Sequence, residues 1–382
     1  MNKLIIKRIE TFVFRAPLKN LVRTSFGIMR DRPALLVRVE DQDGVYGWGE
    51  VWCNFPSVGA EHRAALINEI VGPMLINHTF NDPSEVWKKT IEKTEVLAIQ
   101  SGEPGPLNQV AAGLDIACWD LWARRQQRPL YRVLGSAHKD SIPAYASGID
   151  PQICTQVIKE SRATGFRSFK IKIGFNTDSD RKSIESAVSA LLPGEKLMLD
   201  ANQGWDIESA ILFMRSVEGL PIEWIEEPLR ANRPTNEWLE LQEKINIPIA
   251  AGENISHLQN FQKAIHQGTL KFLQPDACKW GGISAVLPIA RQAVEAGLIY
   301  CPHYLGGGVG LMASAHLLAA VGGGGMLEFD VQKNPLREGL ATPFPLIHNG
   351  QFIMPQGAGL GTEPDLDEMA QYLVRSREVK AS

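Results

Sequence analysis

Beyond about residue 141 the chain alternates short, β-rich apolar runs with longer stretches of helical spacing. The runs cover 142–147, 168–173, 196–201, 223–226, 247–251, 271–274, 299–302 and 326–329. Eight such strands with helices between them, one unit per roughly 25 to 30 residues, predict a closed parallel barrel. An open doubly wound sheet shows a similar rhythm, but no GxGxxG follows the first strand. Upstream the pattern is different. Strand-like runs at 4–9, 34–39 and 45–49, the last preceded by the turn signal Asp41-Gln42-Asp43-Gly44, give way to helical patterns. In 109–126, Val110, Ala111, Leu114, Ala117, Cys118, Leu121 and Trp122 fall at helical spacing. The basic segment 19–33 reads as a mobile loop. The predicted fold class is α/β, with an α+β capping domain over 1–138 and a barrel over 139–344. A tail over 345–382 loses the barrel pattern and is expected to return to the capping domain.

A chain of 382 residues fits two domains. Its formal net charge of −4 and the lack of a basic face argue against a nucleic-acid partner. No stretch approaches the roughly 20 apolar residues of a membrane span, and the first 18 residues lack a signal-peptide core. Five scattered cysteines without a CxxC pair suit reduced thiols. A cytoplasmic location is expected.

The polar residues at the strand ends carry the functional reading. Barrel enzymes place their chemistry at the C-terminal ends of the strands. Those ends carry Lys170 and Lys172, then Asp200, Glu226, Glu253, Asp276, His303 and Glu328. From Lys172 onward the steps are 28, 26, 27, 23, 27 and 25 residues, so each strand delivers one ionisable group to one rim. Buried charge is costly unless it is paired or bound to metal. Three neighbouring acids, Asp200, Glu226 and Glu253, repel one another, and a hard dication relieves the repulsion by taking oxygen ligands. Mg2+ suits them, because it accepts a few carboxylates and keeps positions for water or a substrate carboxylate. Any one of these acids alone would read as a helix cap or an ion-pair partner; together they read as a metal site.

Period two on a strand points Lys170 and Lys172 to the same side. Beside a dication, burial and like charge are expected to lower the lysine pKa enough to make a base. Asp276 next to His303 would fix the imidazole tautomer and support its protonated form, giving a second acid/base. Glu328, if kept protonated, would donate a hydrogen bond to an enolate oxygen. His316, on a helical segment, reads as a packing residue.

With these residues placed, the chain resembles the enolase superfamily in its mandelate racemase subgroup. The matching strings are Lys170-Ile171-Lys172-Ile173-Gly174, Asp200-Ala201-Asn202-Gln203, Trp224-Ile225-Glu226-Glu227-Pro228, Gly252-Glu253-Asn254, Gln274-Pro275-Asp276, Pro302-His303 and Leu327-Glu328. The segment 114–121, with Pro129-Leu130 and Leu134-Gly135 beyond it, is similar to that family's junction between cap and barrel. The resemblance implies a modified (β/α)7β barrel under the capping domain, with one Mg2+ on Asp200, Glu226 and Glu253. It implies Lys172 as the base on one substrate face and His303, backed by Asp276, on the other. Lys170 and Glu328 would hold the enolate and Asn202 would touch the substrate. The implied partner is a small-molecule carboxylate, and a homo-oligomer is expected. The muconate-lactonising and dipeptide-epimerase branches are disfavoured, since they carry a catalytic lysine near Asp276 and lack the strand-end histidine; Lys279 does not clearly restore their pattern.

The implied chemistry is abstraction of a proton α to a carboxylate. The favoured outcome is dehydration of an acid sugar; racemisation of a 2-hydroxy acid or cycloisomerisation of a lactone or anhydro sugar acid are alternatives. Segments 19–33 and 52–57 would select the substrate, with Arg23 and Arg30 pairing with a distal carboxylate unless they are merely solvated. Two other classes compete. A metal-free lyase would form a Schiff base on Lys172, and a non-catalytic scaffold would use the acids for structure alone.

Overall fold

The computed structural model describes residues 3–24, 27–135 and 139–380, without the side chains of 19–24. The capping sheet opens with β1 (Leu4–Thr24), β2 (Gly27–Asp41) and β3 (Tyr46–Val51), all antiparallel, and the short β4 (Thr79–Phe80) also pairs with β1. Alternation along β2 divides its side chains between two cores. Leu35, Val37 and Val39 pack among the capping helices, whereas Ala34 and Leu36 join the core that continues into the barrel. The helix Pro104–Arg125 lies so close on β3 that a Cβ at Gly49 would stand 2.0 Å from the Gly113 carbonyl oxygen, so only glycine fits there.

The expected loop over 19–33 is instead a two-stranded arm. β1 and β2 stay paired as far as Thr24 and Gly27, and of their two register shifts the one between Pro17 and Val22 falls in this arm. Proline has no N–H for the ladder, so the slip beside Pro17 breaks the pairing only locally. The Arg23 side chain lies outside the described residues. Arg30 is exposed on β2 and, among the described residues, makes no hydrogen bond or ion pair.

The barrel strands are β5 (Ser141–Ile149), β6 (Ser168–Lys172), β7 (Lys196–Asp200), β8 (Ile222–Glu226), β9 (Ile249–Ala251), β10 (Phe272–Leu273), β11 (Ile299–Tyr300) and β12 (Leu327–Asp330). They pair in parallel from β5 through β11, and β12 returns to pair with β5. The lumen floor is apolar, with Tyr145, Met198, Trp224, Ala250, Phe272, Cys301 and Met326 packed together. The tail divides. Its hairpin, β13 (Ile347–His348) and β14 (Gln351–Ile353), pairs with the start of β5, while β15 (Leu373–Lys380) joins the capping sheet, antiparallel to β1, and Glu363 accepts from Trp48 of β3. The expectation that everything after 344 packs on the cap is corrected for that hairpin, whose Phe352 is fully buried against the barrel.

The two domains are joined by buried acids. Asp115 accepts hydrogen bonds from the Ile283 and Ser284 amides and the Ser284 hydroxyl; Asp120 accepts from the Trp48 and Leu360 amides and from Arg124. Glu50 at the end of β3 accepts from the Gly307 and Gly310 amides, at the start of the helix Gly308–Val321. These acids cap amides that the barrel would otherwise leave buried and unpaired.

All five cysteines are buried and unpaired. His316, fully buried, accepts from the Tyr131 amide at Nδ1 (3.0 Å) and is 3.1 Å at Nε2 from the Leu360 carbonyl oxygen. Both contacts suit the neutral ring, since a proton on Nδ1 would face the Tyr131 N–H. Burial pushes its pKa from 6.5 down to about 4. Between these values the unfolded chain binds a proton that the folded chain refuses, so stability falls as pH drops from 6.5 to 4, by at most about 3 kcal/mol. Urea denaturation at pH 7 and pH 4 checks this. His316→Gln should flatten the slope, and an unchanged slope would remove His316 as its source.

Candidate active site

The inward positions above the apolar floor are polar, and they come from successive strands. Lys172, Asp200 and Glu226 stand side by side, because Lys172 pairs with Asp200 across β6–β7 and Asp200 with Glu226 across β7–β8. Glu253, Asp276 and His303 lie two or three residues beyond the short strands β9, β10 and β11, and Glu328 lies within β12. Lys170, Asp200, Glu226, Asp276, His303 and Glu328 are all buried; Glu253 is partly buried.

Short charge-assisted bonds tie the groups together. Lys170 Nζ donates to Glu226 Oε2 (2.6 Å) and pairs with Glu328 Oε1 (2.7 Å), and Asp200 Oδ2 is 3.8 Å away. Lys172 Nζ donates to Asp200 Oδ2 (2.6 Å) and to Asn202 Oδ1 (2.9 Å). Asn202, at φ 43°, donates its own amide to Asp200 Oδ1. His303 Nδ1 lies 2.8 Å from Asp276 Oδ2, and its Nε2 lies 2.6 Å from Glu253 Oε2. The second Asp276 oxygen accepts from the Cys278 and Lys279 amides. The geometry thus brings every strand-end residue of the sequence reading into one connected network. Among the described residues no hydrogen bond or ion pair joins it to Arg30, and the Arg23 side chain lies outside them.

The protein's own charges set the electrostatics of Lys172, Glu328 and His303. Burial pulls Lys172 down, but Asp200 at 2.6 Å outweighs it, so its pKa lies above the ordinary lysine value rather than below. The reason is an unneutralised carboxylate in direct contact. Burial favours neutral Glu328, but Lys170 and His303, with hydrogen bonds from Lys170 and Ser147, hold it down to about 2. Ser147 Oγ (2.5 Å) and the Tyr304 amide (3.1 Å) donate to it, so Glu328 is an acceptor in these contacts. For His303, burial disfavours the cation, but Glu253, Glu328 and Asp276 overcome it and raise its pKa well above the usual value.

The acids of this network are the donor set that a dication would meet. Among the described residues no three acid or histidine side chains converge as they stand into a cage, because each acid turns to a lysine or histidine instead. The surplus charge nevertheless fits one. Asp200, Glu226, Glu227, Glu253, Asp276 and Glu328 face Lys170, Lys172, Lys279 and His303, an excess of two negative charges when all are ionised. Burial pushes Glu226 up to about 7, with Asp200 and Glu328 adding to it against Lys170. All-oxygen ligands in such a cluster suit Mg2+.

Sequence reasoning missed several members. Asn254 donates to Glu253 and Glu227 and accepts from Lys279 Nζ (2.6 Å), whose ammonium lies 4.8 Å from the centre of the Trp52 ring. Gln274 donates to Glu226. Asn254 and Gln274 stood inside recognised strings, but an amide gives no charge signal of its own. Trp52 opens the expected substrate-selecting segment 52–57, but nothing in its spacing pairs it with Lys279, and Ser147 carries no signal of its own.

Comparison with known proteins agrees with this geometry. Residues 8–135 match the mandelate racemase / muconate lactonizing enzyme N-terminal domain, and residues 154–369 match the enolase C-terminal domain-like family. A solved mandelate racemase/muconate lactonizing enzyme from Bordetella bronchiseptica RB50 is 45% identical, with TM-score 0.90 over 97% of this chain and 99% of that one. The D-galactarolactone cycloisomerase of Agrobacterium fabrum is 30% identical over 357 residues, 89% of this chain and 91% of its own. L-Talarate dehydratase from Polaromonas sp. JS666, solved with Mg and L-glucarate, is 26% identical, with TM-score 0.83 over 99% of this chain and 100% of that one. The chain belongs to the mandelate racemase / muconate lactonizing enzyme family of the enolase superfamily.

Proposed function

We propose that this chain is a Mg2+-dependent enzyme that removes the proton α to a carboxylate, most simply to dehydrate an acid sugar to a 2-keto-3-deoxy acid. The observation that carries the reading is the pair of bases, Lys172 and His303, set on separate strands around a cluster of surplus carboxylates. Asp200, Glu226 and Glu253 would hold the ion. Mg2+ bound there would neutralise Asp200, freeing Lys172 from the attraction that raises its pKa, and would stabilise the carboxylate as it gains charge.

Lys172 takes the α-proton, and Asn202 fixes its ammonium once formed. His303, held protonated by Asp276, gives its proton to the departing β-hydroxyl as the C–O bond breaks, releasing water. The resulting enol becomes the 2-keto acid by tautomerisation. Lys170 balances Glu226 and Glu328 beneath the reaction. The dehydratase relative supports this outcome. A second reading, ring opening of a lactone or anhydro sugar acid by the same intermediate, is supported by the cycloisomerase relative. The exposed Arg30 would serve a distal carboxylate, and the enzyme would work as a homo-oligomer in the cytoplasm; no helix among the described residues is long and apolar enough to cross a membrane.

The test is a library of acid sugars and their lactones with Mg2+, assayed for 2-keto acid and, by NMR in deuterated water, for α-proton exchange. Keto acid formation abolished by EDTA is the expected result. Exchange without keto acid would turn the assignment to racemisation, and neither signal from any acid would sink the proposal. Borohydride trapping of an adduct in EDTA would favour the Schiff-base lyase instead.

A further inference from the structure

Lys170, Glu226, Gln274 and Glu328 come from β6, β8, the end of β10, and β12, which are alternate strands, and they form one layer of the barrel filling. Barrel layers are ordinarily apolar, and the cluster beneath this one is. Three of the four are charged and satisfy each other through Lys170. Gln274 is the exception. It is 1% exposed; its Nε2 donates to Glu226 Oε2 at 2.7 Å, while its own Oε1 is buried without a hydrogen-bond partner.

That arrangement is poor for stability. A buried carbonyl left unpaired carries a desolvation cost that offsets most of what one amide bond to a carboxylate returns. An apolar side chain of similar length would leave no such unpaired atom. What the glutamine does achieve is local to Glu226. Both hydrogen-bond donors, Gln274 Nε2 and Lys170 Nζ, sit on Oε2, so that oxygen is held from two sides and Oε1 is left with no hydrogen bond.

We infer that Gln274 is a positioning residue: it pins Glu226 through Oε2 so that Oε1 is presented to the cation. The inference rests on the Mg2+ reading above. Groups that orient metal ligands typically change affinity by 10–100-fold when removed. A role in packing alone would act on stability and leave affinity unchanged.

The experiment compares wild type, Gln274→Met and Gln274→Leu by Mg2+ titration calorimetry, by thermal unfolding in EDTA, and by rate as a function of Mg2+ concentration. The expected split is a Mg2+ Kd raised by about 10–100-fold, with Tm in EDTA unchanged or higher. The rate should fall at limiting Mg2+ and recover most of its value at saturation. Using two apolar replacements guards against one of them packing badly. A Kd within twofold of wild type in either folded variant would overturn the inference, as would a lowered Tm with unchanged affinity. Wild type failing to bind Mg2+ would be a different result: it would overturn the metal reading itself.

Discussion

Lys172→Ala is expected to lower α-proton exchange by about 10²–10⁴-fold, the range for loss of a positioned general base. The loss is specific to one substrate face, because His303 remains on the other. Mg2+ affinity stays close to wild type, since Lys172 donates to Asp200 and Asn202 but supplies no ligand. Removing its ammonium also removes a competitor for Asp200, so a slight gain in affinity fits the same account. The measurement is deuterium incorporation by NMR, with calorimetry alongside. Exchange that persists at the wild-type rate would show that Lys172 is not the base.

The second large effect is on the fold. Lys170 is 1% exposed and bridges Glu226 and Glu328, with Asp200 3.8 Å away. Burial disfavours its charge, but those three anions more than offset this, and its pKa lies well above the ordinary lysine value. Lys170→Met deletes the cation and keeps the volume, leaving two carboxylates buried against each other. Breaking a buried ion pair from one side costs about 3–5 kcal/mol. Urea denaturation in EDTA at pH 8 reads this loss, and the loss should shrink at lower pH as one carboxyl takes up a proton. A change below about 1 kcal/mol would contradict the reading of a charge-balanced layer.

Much of this was legible in the chain because charge at a strand end is a loud signal. Asp200, Glu226, Glu253, Asp276, His303 and Glu328 recur at near-equal steps, and an apolar barrel offers them no other reason to be there. The eight barrel strands were equally plain, since buried parallel strands are short apolar runs between helices. Three things were hidden. The arm at 19–33 looked like a loop because its basic and proline residues mask a pairing that only the partner strand reveals. Amides such as Gln274 and Asn254 act by direction, which composition does not encode. The protonation states of Lys172 and Glu328 depend on contacts of 2.6 and 2.7 Å with particular neighbours, and no spacing rule supplies those distances.

The most direct test is calorimetric titration of Mg2+ into the wild-type chain and into Asp200→Asn, Glu226→Gln and Glu253→Gln. The account predicts one ion per wild-type chain and loss of that binding in each of the three variants. Binding that survives in any of them at wild-type affinity, or a wild-type chain that binds no Mg2+, would contradict it.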